Sequence, residues 1–281
     1  NGVFMSVFRV KQRRWQLTGL AMALAAAGMF HSSQAFGETP CEAPKKQNNT
    51  HFLMGANDSG TCTYTFTGDP ALVLDGGASP KRLEIAGSLP LKEITAINKG
   101  SLLFSDTGIL KRFTSSVTLA NQGVIRGGTT GPAIKTDSGE TITTLTNEAT
   151  GKIEGRIEGA IVTLTNKKGA TIRAEGFSAE SPRAVIDILG YKTDSDKDGS
   201  TTVTNAGVIA SRLNDNDEYT DNSYGLTVRD NGVATIINEK TGVIGGHDAG
   251  LQIGVADEQA EAEITNAGTI EGDVFGVAVR G

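Results

Sequence analysis

Short stretches of alternating apolar and polar residues recur from about residue 94 onward, and each of seven such stretches ends in Asn. An apolar residue stands two positions before each Asn, and a Gly follows it at two, three or four positions. Alternation with a period of two predicts a strand that buries one face. Asn and Gly predict a turn, because Gly reaches positive φ without steric cost and Asn tolerates it better than most residues. The seven asparagines are Asn98, Asn121, Asn147, Asn166, Asn205, Asn238 and Asn266.

A second strand is predicted after the turn in most units, so each coil holds about two or three short strands. These second strands are predicted at residues 132–135, 160–163, 184–189, 225–228, 250–253 and 276–279. One coil cannot bury its apolar side alone, so coils must stack to be stable. The sequence therefore predicts an all-β fold, a right-handed parallel β-helix (β-solenoid) with irregular coils. An antiparallel hairpin array is the alternative. Hairpins favour tight two-residue Asn-Gly loops, however, and the Gly offset varies here.

The spacing of the asparagines separates bare coils from coils with insertions. The intervals are 23, 26, 19, 39, 33 and 28 residues, so the longer coils must carry protruding loops. Two of these loops, residues 191–200 and 211–223, are polar and acidic, as solvated loops are. If the asparagines of neighbouring coils align, their side-chain amides would bond one another along the axis; this ladder is a hypothesis.

The first of these loops contains half of a calcium-binding pattern. Asp194, Asp196 and Asp198 precede Gly199, and alternating oxygens before a Gly turn suit calcium in an EF-hand. The twelfth position is Asn205 rather than Glu, and no helix is predicted on either side. An acidic exposed loop is therefore the favoured interpretation and calcium binding the alternative, so no metal site is assigned.

The N-terminal region, residues 1–37, is predicted to be a signal peptide. A basic stretch at residues 9–14 precedes a mostly apolar run at residues 17–30, and Ser33 and Ala35 fit a cleavage site between small residues. The apolar run is shorter than the roughly 20 residues that a membrane-spanning helix needs. We therefore expect export across the inner membrane, to the cell surface, the outer membrane or the medium.

Residues 38–93 are predicted to form an N-terminal cap, and residues 94–281 the β-helix repeats. Cys41 and Cys62 are the two cysteines, and an oxidising compartment favours a disulfide between them. Two free thiols or half of a metal site are the alternatives, and His51 is the one imidazole nearby. The sequence stops inside a second strand at Gly281, so we expect it to be a truncated piece of a longer protein.

Composition narrows the classes of function. The chain has a net charge of −6, and its basic residues are enriched before residue 15, so nucleic acid is not an expected partner. Few histidines are present for acid–base chemistry, and no cofactor or catalytic residue is assigned. A β-helical polysaccharide lyase is the enzyme alternative. Its candidate residues are Arg156 with Glu154 and Glu158, and Arg229 with Asp230.

A signal peptide followed by Gly-, Thr- and Asn-rich units such as ITNAGTIEG resembles the N-terminal passenger region of a Gram-negative autotransporter, of the type V secretion family. The resemblance implies a parallel β-helix stem and, as partner, the protein's own C-terminal β-barrel translocator. It also implies a surface-displayed adhesin or cell-contact protein without a catalytic site, which binds host or bacterial surface ligands. A secreted β-helical polysaccharide lyase or hydrolase is the alternative function.

Overall fold

A computed structural model describes most of the repeat region and isolated strands before it. The chain divides into two units, Asn1–Gly37 and Glu38–Gly281, and the first lies outside the described residues. Within the described residues, no helix is long and apolar enough to cross a membrane. The structure describes residues 45–48, 51–55, 61–66, 72–74, 81–86, 93–99, 101–104, 108–111, 116–127, 132–136, 141–174, 183–191, 199–211, 223–254 and 260–280.

Each coil contributes strands to three faces, which we name A, B and C, and β14 (Arg156–Asn166) belongs to both A and B. Face A contains β1 (Lys45–Asn48), β2 (His51–Gly55), β5 (Lys81–Ala86), β8 (Gly108–Lys111), β11 (Pro132–Thr136), β16 (Arg183–Leu189), β19 (Ser223–Arg229), β22 (Ala249–Ile253) and β25 (Phe275–Val279). Face B contains β3 (Thr61–Phe66), β6 (Glu93–Asn98), β9 (Ser116–Asn121), β12 (Thr141–Asn147), β17 (Ser200–Asn205), β20 (Val233–Asn238) and β23 (Glu261–Asn266). Face C contains β4 (Leu72–Leu74), β7 (Ser101–Phe104), β10 (Val124–Arg126), β13 (Lys152–Glu154), β15 (Thr171–Ala174), β18 (Val208–Ser211), β21 (Val243–Gly246) and β24 (Thr269–Gly272).

The strands of each face pair in parallel with the strands of the preceding and following coils. Among the described strands, β1 with β2 is the one antiparallel pair. The chain passes from face B through the Asn turn to face C, and then to face A. The predicted all-β parallel solenoid is therefore confirmed, and the hairpin array is wrong.

Apolar residues stack on apolar residues at the same register position of successive coils, and these columns form the core. Their members are almost fully buried, because each column faces the other two across the interior of the coil. Face B contributes Leu119, Leu145, Leu164, Val203 and Ile236. Face C contributes Leu102, Ile125, Ile153, Ile172, Ile209 and Ile244. Face A contributes Ile134, Ile157, Ile186, Leu226 and Leu251.

The shortest interval, the 19 residues from Asn147 to Asn166, shows a coil without insertions. Its face A strand runs without a break into the next face B strand, so the two form one strand of 11 residues, β14. Sequence patterning placed a separate strand at residues 160–163. The structure instead assigns residues 156–159 to face A and residues 160–166 to face B. With no spare residue between the faces, the chain turns the corner while staying extended.

The region before residue 94 joins the same stack. Strand β3 pairs in parallel with β6, with Cys62 opposite Ile94, and β2 pairs in parallel with β5. The last described coil is more exposed than the preceding coils whose burial the structure describes, because no described strand pairs with its far edge. Val274, Phe275 and Val279 are more than half exposed there, at 53%, 56% and 74%.

Candidate functional site

The asparagine side chains form a continuous ladder at the corner between faces B and C. In each coil the amide Nδ2 donates to the Oδ1 of the Asn in the next coil, over six consecutive bonds of 2.8 to 2.9 Å. All six bonds run in the same direction along the stack. The ladder hypothesis is therefore confirmed, and it includes Asn98, Asn121, Asn147, Asn166, Asn205, Asn238 and Asn266.

Each amide also satisfies a backbone group of the next coil. In each of the first six asparagines, the second Nδ2 proton is donated to a backbone carbonyl at the start of the face C strand in the next coil, at 2.9 to 3.2 Å. Those six side chains are at most 1% exposed. A buried amide that uses both protons and its oxygen leaves no polar atom unsatisfied, so the ladder stabilises the turn rather than offering a binding group.

The turn glycines are needed mainly because a side chain would not fit at these positions, and less because of their backbone conformation. Among those that the structure describes, Gly169 alone has a positive φ, of 88°, so the expectation that these turns depend on positive φ is wrong for the others. A Cβ at Gly151 would collide with Asn147 Oδ1 and the Asn121 carbonyl. Gly is needed because the ladder amide and a neighbouring turn pass directly over it.

A second row of small residues lies at the corner between faces C and A, and sequence reasoning missed it. Each member stands six or eight residues after a ladder Asn, and this offset was a usable signal. Backbone of neighbouring face A strands packs against the row: a Cβ at Gly246 would meet Tyr224 of β19, before it in the chain, and Ala249 of β22, after it. The Oγ of Ser211, 1% exposed, has no hydrogen-bond partner there. The row contains Gly127, Gly155, Ala174, Ser211, Gly246 and Gly272.

Face A holds a charged cluster on its outward side, centred on Asp187, which is 7% exposed. The Asp187 carboxylate accepts from Thr227 Oγ1 at 2.7 Å and from Arg229 Nε and Nη2 at 2.8 and 2.7 Å. The hydrogen bond from Arg229 to Asp187 is the main reason that the pKa of the Arg229 guanidinium is raised above its ordinary value, against the opposing effect of burial. Glu158 lies one coil before Asp187, and it pairs with both Lys135 and Arg156.

The ion pairs in the structure differ from the groups of residues that the lyase alternative proposed. Glu154 lies on face C and pairs with Arg126, whereas Arg156 and Glu158 lie on face A. Arg229 makes its close bidentate pair with Asp187, 42 residues earlier, and its contact with Asp230 is longer, at 3.5 Å. Asp187 was not singled out from the sequence, because an insertion of variable length hides which residues of two coils lie opposite each other.

A second polar cluster lies near the start of the later face A strands. The Nδ1 of His247 lies 2.8 Å from Asp248 Oδ1, and the backbone N–H of His247 donates to Ser223 Oγ at 3.1 Å. Burial, more than the neighbouring Asp248, raises the pKa of the Tyr224 hydroxyl. The cluster therefore fixes the turn before β22 against β19.

Two of the sequence predictions fall on parts of the chain that the structure leaves undescribed. Cys41 lies outside the described residues, and for Cys62 the structure describes the strand but not the side chain, so the disulfide stays a prediction. Asp194, Asp196 and Asp198 also lie outside them, while Asn205, the twelfth position of the calcium pattern, belongs to the ladder. Over the described ranges, no group of three His, Cys, Asp or Glu residues is arranged to hold a metal ion.

Face B differs from the other two faces in carrying no charge over five coils. Strands β9, β12, β17 and β20, together with residues 160–166 of β14, hold no Asp, Glu, Lys or Arg. Their outward positions are dominated by Thr, and faces A and C carry ion pairs over the same coils. The sides of this solenoid therefore have different chemistry.

No family model, curated protein or solved structure matches the chain. The fold and the ladder therefore define the class to which the structure assigns this chain, an all-β parallel solenoid with a buried asparagine ladder. Its activity has to be argued from the chemistry of its faces.

Proposed function

We propose that this chain is the stem of a surface-displayed autotransporter passenger that acts in adhesion or cell contact. The observation that carries the proposal is the unbroken ladder over seven coils, because it fixes the coils in register as one continuous stack. Such a stack can hold binding groups away from a surface. In this proposal, the outward faces and protruding loops make the contacts, and no catalytic residue is needed.

Export fits the way in which the stack is held together. Each coil takes its backbone and ladder hydrogen bonds from the adjacent coils, so a chain that emerges in an extended form can fold coil by coil on a stack already formed. The proposed partners are a β-barrel translocator at the protein's own C-terminus and ligands on host or bacterial surfaces. The N-terminal signal sequence would start the route across the inner membrane.

Two measurements test the proposal. Sequencing the gene beyond the codon for Gly281 is expected to show further Asn-Gly coils and then alternating amphipathic strands of a membrane barrel. An epitope inserted in the polar loop at residues 212–222 is expected to be labelled by antibody on intact cells of the source bacterium. A control epitope on a periplasmic protein should stay unlabelled until the cells are permeabilised. A stop codon shortly after Gly281, or labelling only after permeabilisation, would reject surface display.

A secreted polysaccharide lyase or hydrolase remains the second candidate, and the charged cluster on face A favours it. Lys135, Arg156, Glu158, Asp187 and Arg229 lie on the same side of four successive coils. The acids are paired with these cations, so a substrate would have to displace an ion pair to reach them. Release of unsaturated sugars by the purified chain, lost in Arg229→Ala, would establish this function over the stem.

A further inference from the structure

Threonine side chains on face B form a regular two-dimensional array, which we name the threonine face. Its first column contains Thr118, Thr144, Thr163, Thr202 and Thr235, each opposite the next in register. Its second column runs alongside, two residues further along each strand, and contains Ala120, Thr146, Thr165, Thr204 and Ile237. Three consecutive coils therefore present a Thr-x-Thr pair.

The hydroxyls of the threonine face are available and held in place. The first-column side chains are partly exposed, and within the described part of the chain their hydroxyls bond to no other residue. The residues between the two columns point inward to the core: Leu145, Leu164 and Val203 are fully buried. Because Thr is β-branched, its χ1 has few allowed rotamers, and the parallel ladder beneath fixes every Cβ. A ligand with the same spacing would therefore meet groups that need little ordering.

The spacing of the array matches that of hydrogen-bonded water. Neighbouring strands lie about 4.8 Å apart, and residues two apart on a strand are about 6.7 Å apart. Tetrahedral water with an O···O distance of about 2.75 Å places second neighbours about 4.5 Å apart and repeats every 7.3 Å or so along the hexagonal axis of ice. Both spacings agree within about a tenth, and side-chain rotation moves the hydroxyls enough to close such gaps.

The chemistry of the threonine face makes macromolecular partners a poor fit. Protein interfaces depend on Trp, Tyr and Arg anchors, and nucleic acid needs basic residues. The face B segments over these coils contain no aromatic residue and no charge. A neutral array in a chain with a net charge of −6 is complementary to an uncharged partner. Methyl and hydroxyl groups at fixed spacing suit a partner that is itself a lattice of hydroxyl oxygens.

We propose that the threonine face binds the surface of an ice crystal. The array orders water at the spacing of the ice lattice, and that layer joins the growing crystal. The inference goes beyond adhesion through a cell-surface ligand and does not depend on export or display. It adds an interaction surface on face B, whereas the charged clusters lie on faces A and C.

The test measures thermal hysteresis and partition into ice for the purified chain. Thr163→Tyr and Thr202→Tyr place a bulky ring in the middle of the first column, and the double variant is expected to lose most of the hysteresis and to stay in the liquid. Thr171→Tyr is the matched control: it makes the same change at an outward position of face C. This variant should retain both properties.

Folding is checked separately, because a tyrosine could disturb the stack. Circular dichroism and the melting temperature should be the same for the double variant and the Thr171→Tyr control. A more conservative pair, Thr163→Val and Thr202→Val, keeps the methyl groups and removes two hydroxyls, and should reduce hysteresis partly. The proposal is overturned if the unmodified chain shows no hysteresis, or if face B and face C variants lose it equally. Binding to a neutral insoluble polysaccharide without hysteresis, abolished by the face B variants, would overturn it in favour of a glycan ligand.

Discussion

The corner between faces B and C differs from the two margins of face A in how many additional residues it contains. At the ladder corner, each of the six turns from Asn121 to Asn266 has only two or four residues between its strands. The additional residues of the longer coils fall at the two ends of the face A strands, at residues 175–182, 192–198, 212–222 and 255–259.

The difference follows from what each corner has to satisfy. Turns of both lengths keep each amide within reach of the two amides beside it and of a backbone carbonyl. A longer insertion that moved an amide out of this reach would leave buried polar atoms without partners. The described residues at the corners beside face A form no side-chain ladder, so chain can be added there at small entropic cost. The ladder corner therefore preserves the stack, and the margins of face A are where variation is tolerated.

The largest effect is expected from a break in the middle of the ladder. Asn166→Leu removes the acceptor of Asn147, the donor to Asn205 and the donor to the Val208 carbonyl. Each buried polar group without a partner costs about 1 to 3 kcal/mol, so the free energy of unfolding should fall by about 3 kcal/mol or more. Urea unfolding measures this loss. Lys168→Ala, at an exposed position of the same turn, is the control. A loss below about 1 kcal/mol would mean that the ladder contributes little to the free energy of unfolding.

A smaller loss is expected where the ladder needs space. Gly242→Ala puts a methyl group against Asn238 Oδ1 and the Asn205 carbonyl, and overpacking of this kind costs about 1 to 3 kcal/mol. Exposed Lys240→Ala, two residues earlier, is the control and should leave the melting temperature nearly unchanged. Equal melting temperatures for the two variants would show that the turn relaxes around the methyl group, contrary to the close-approach explanation.

The charged pair on face A should contribute less than a ladder amide. Asp187→Asn keeps the shape and removes the charge that Arg229 pairs with, and we expect a loss of about 1 to 2 kcal/mol, because Arg229 is partly exposed. The raised pKa of Arg229 means that this stabilisation is present at all pH values below its ordinary pKa and is lost only as pH rises through the raised value. The contribution of Arg229 ionisation should therefore be constant across neutral pH. Denaturant unfolding of the unmodified chain and of Asp187→Asn at several neutral pH values checks this. A loss for Asp187→Asn that changes across this range would contradict it.

The smallest effect is expected from a longer insertion beside face A. Four Gly-Ser residues added within 192–198 should change the free energy of unfolding by less than about 1 kcal/mol, since loop entropy grows slowly with length. The base of this loop is closed by Gly199 N–H to the Tyr191 carbonyl at 2.8 Å and by Tyr191 Oη to the Ser200 carbonyl at 3.0 Å. The same four residues placed after Ala206, in the Asn turn, should prevent cooperative folding. If both insertions are tolerated equally, the contrast between the two corners is wrong.

The repeat unit could be predicted from sequence because its signals are local. An apolar residue, Asn, Gly and a second apolar residue lie within about ten positions, and each acts through its own backbone preference or hydrophobicity. The row of small residues after each face C strand had the same regularity and could have been found. The site chemistry was less predictable: Arg229 was paired with its neighbour Asp230, whereas the structure pairs it with Asp187.

The sequence by itself determined that the chain forms stacked parallel coils and which asparagines occupy equivalent positions in them, because a repeated pattern needs no knowledge of long-range register. Only the tertiary structure decided which side chains meet across coils. It set Asp187 against Arg229, joined two strands into β14, and placed one Thr above another on face B. The physical reason is that insertions change the sequence distance between coils from 19 to 39 residues, while the hydrogen-bonded ladder keeps the spatial distance constant.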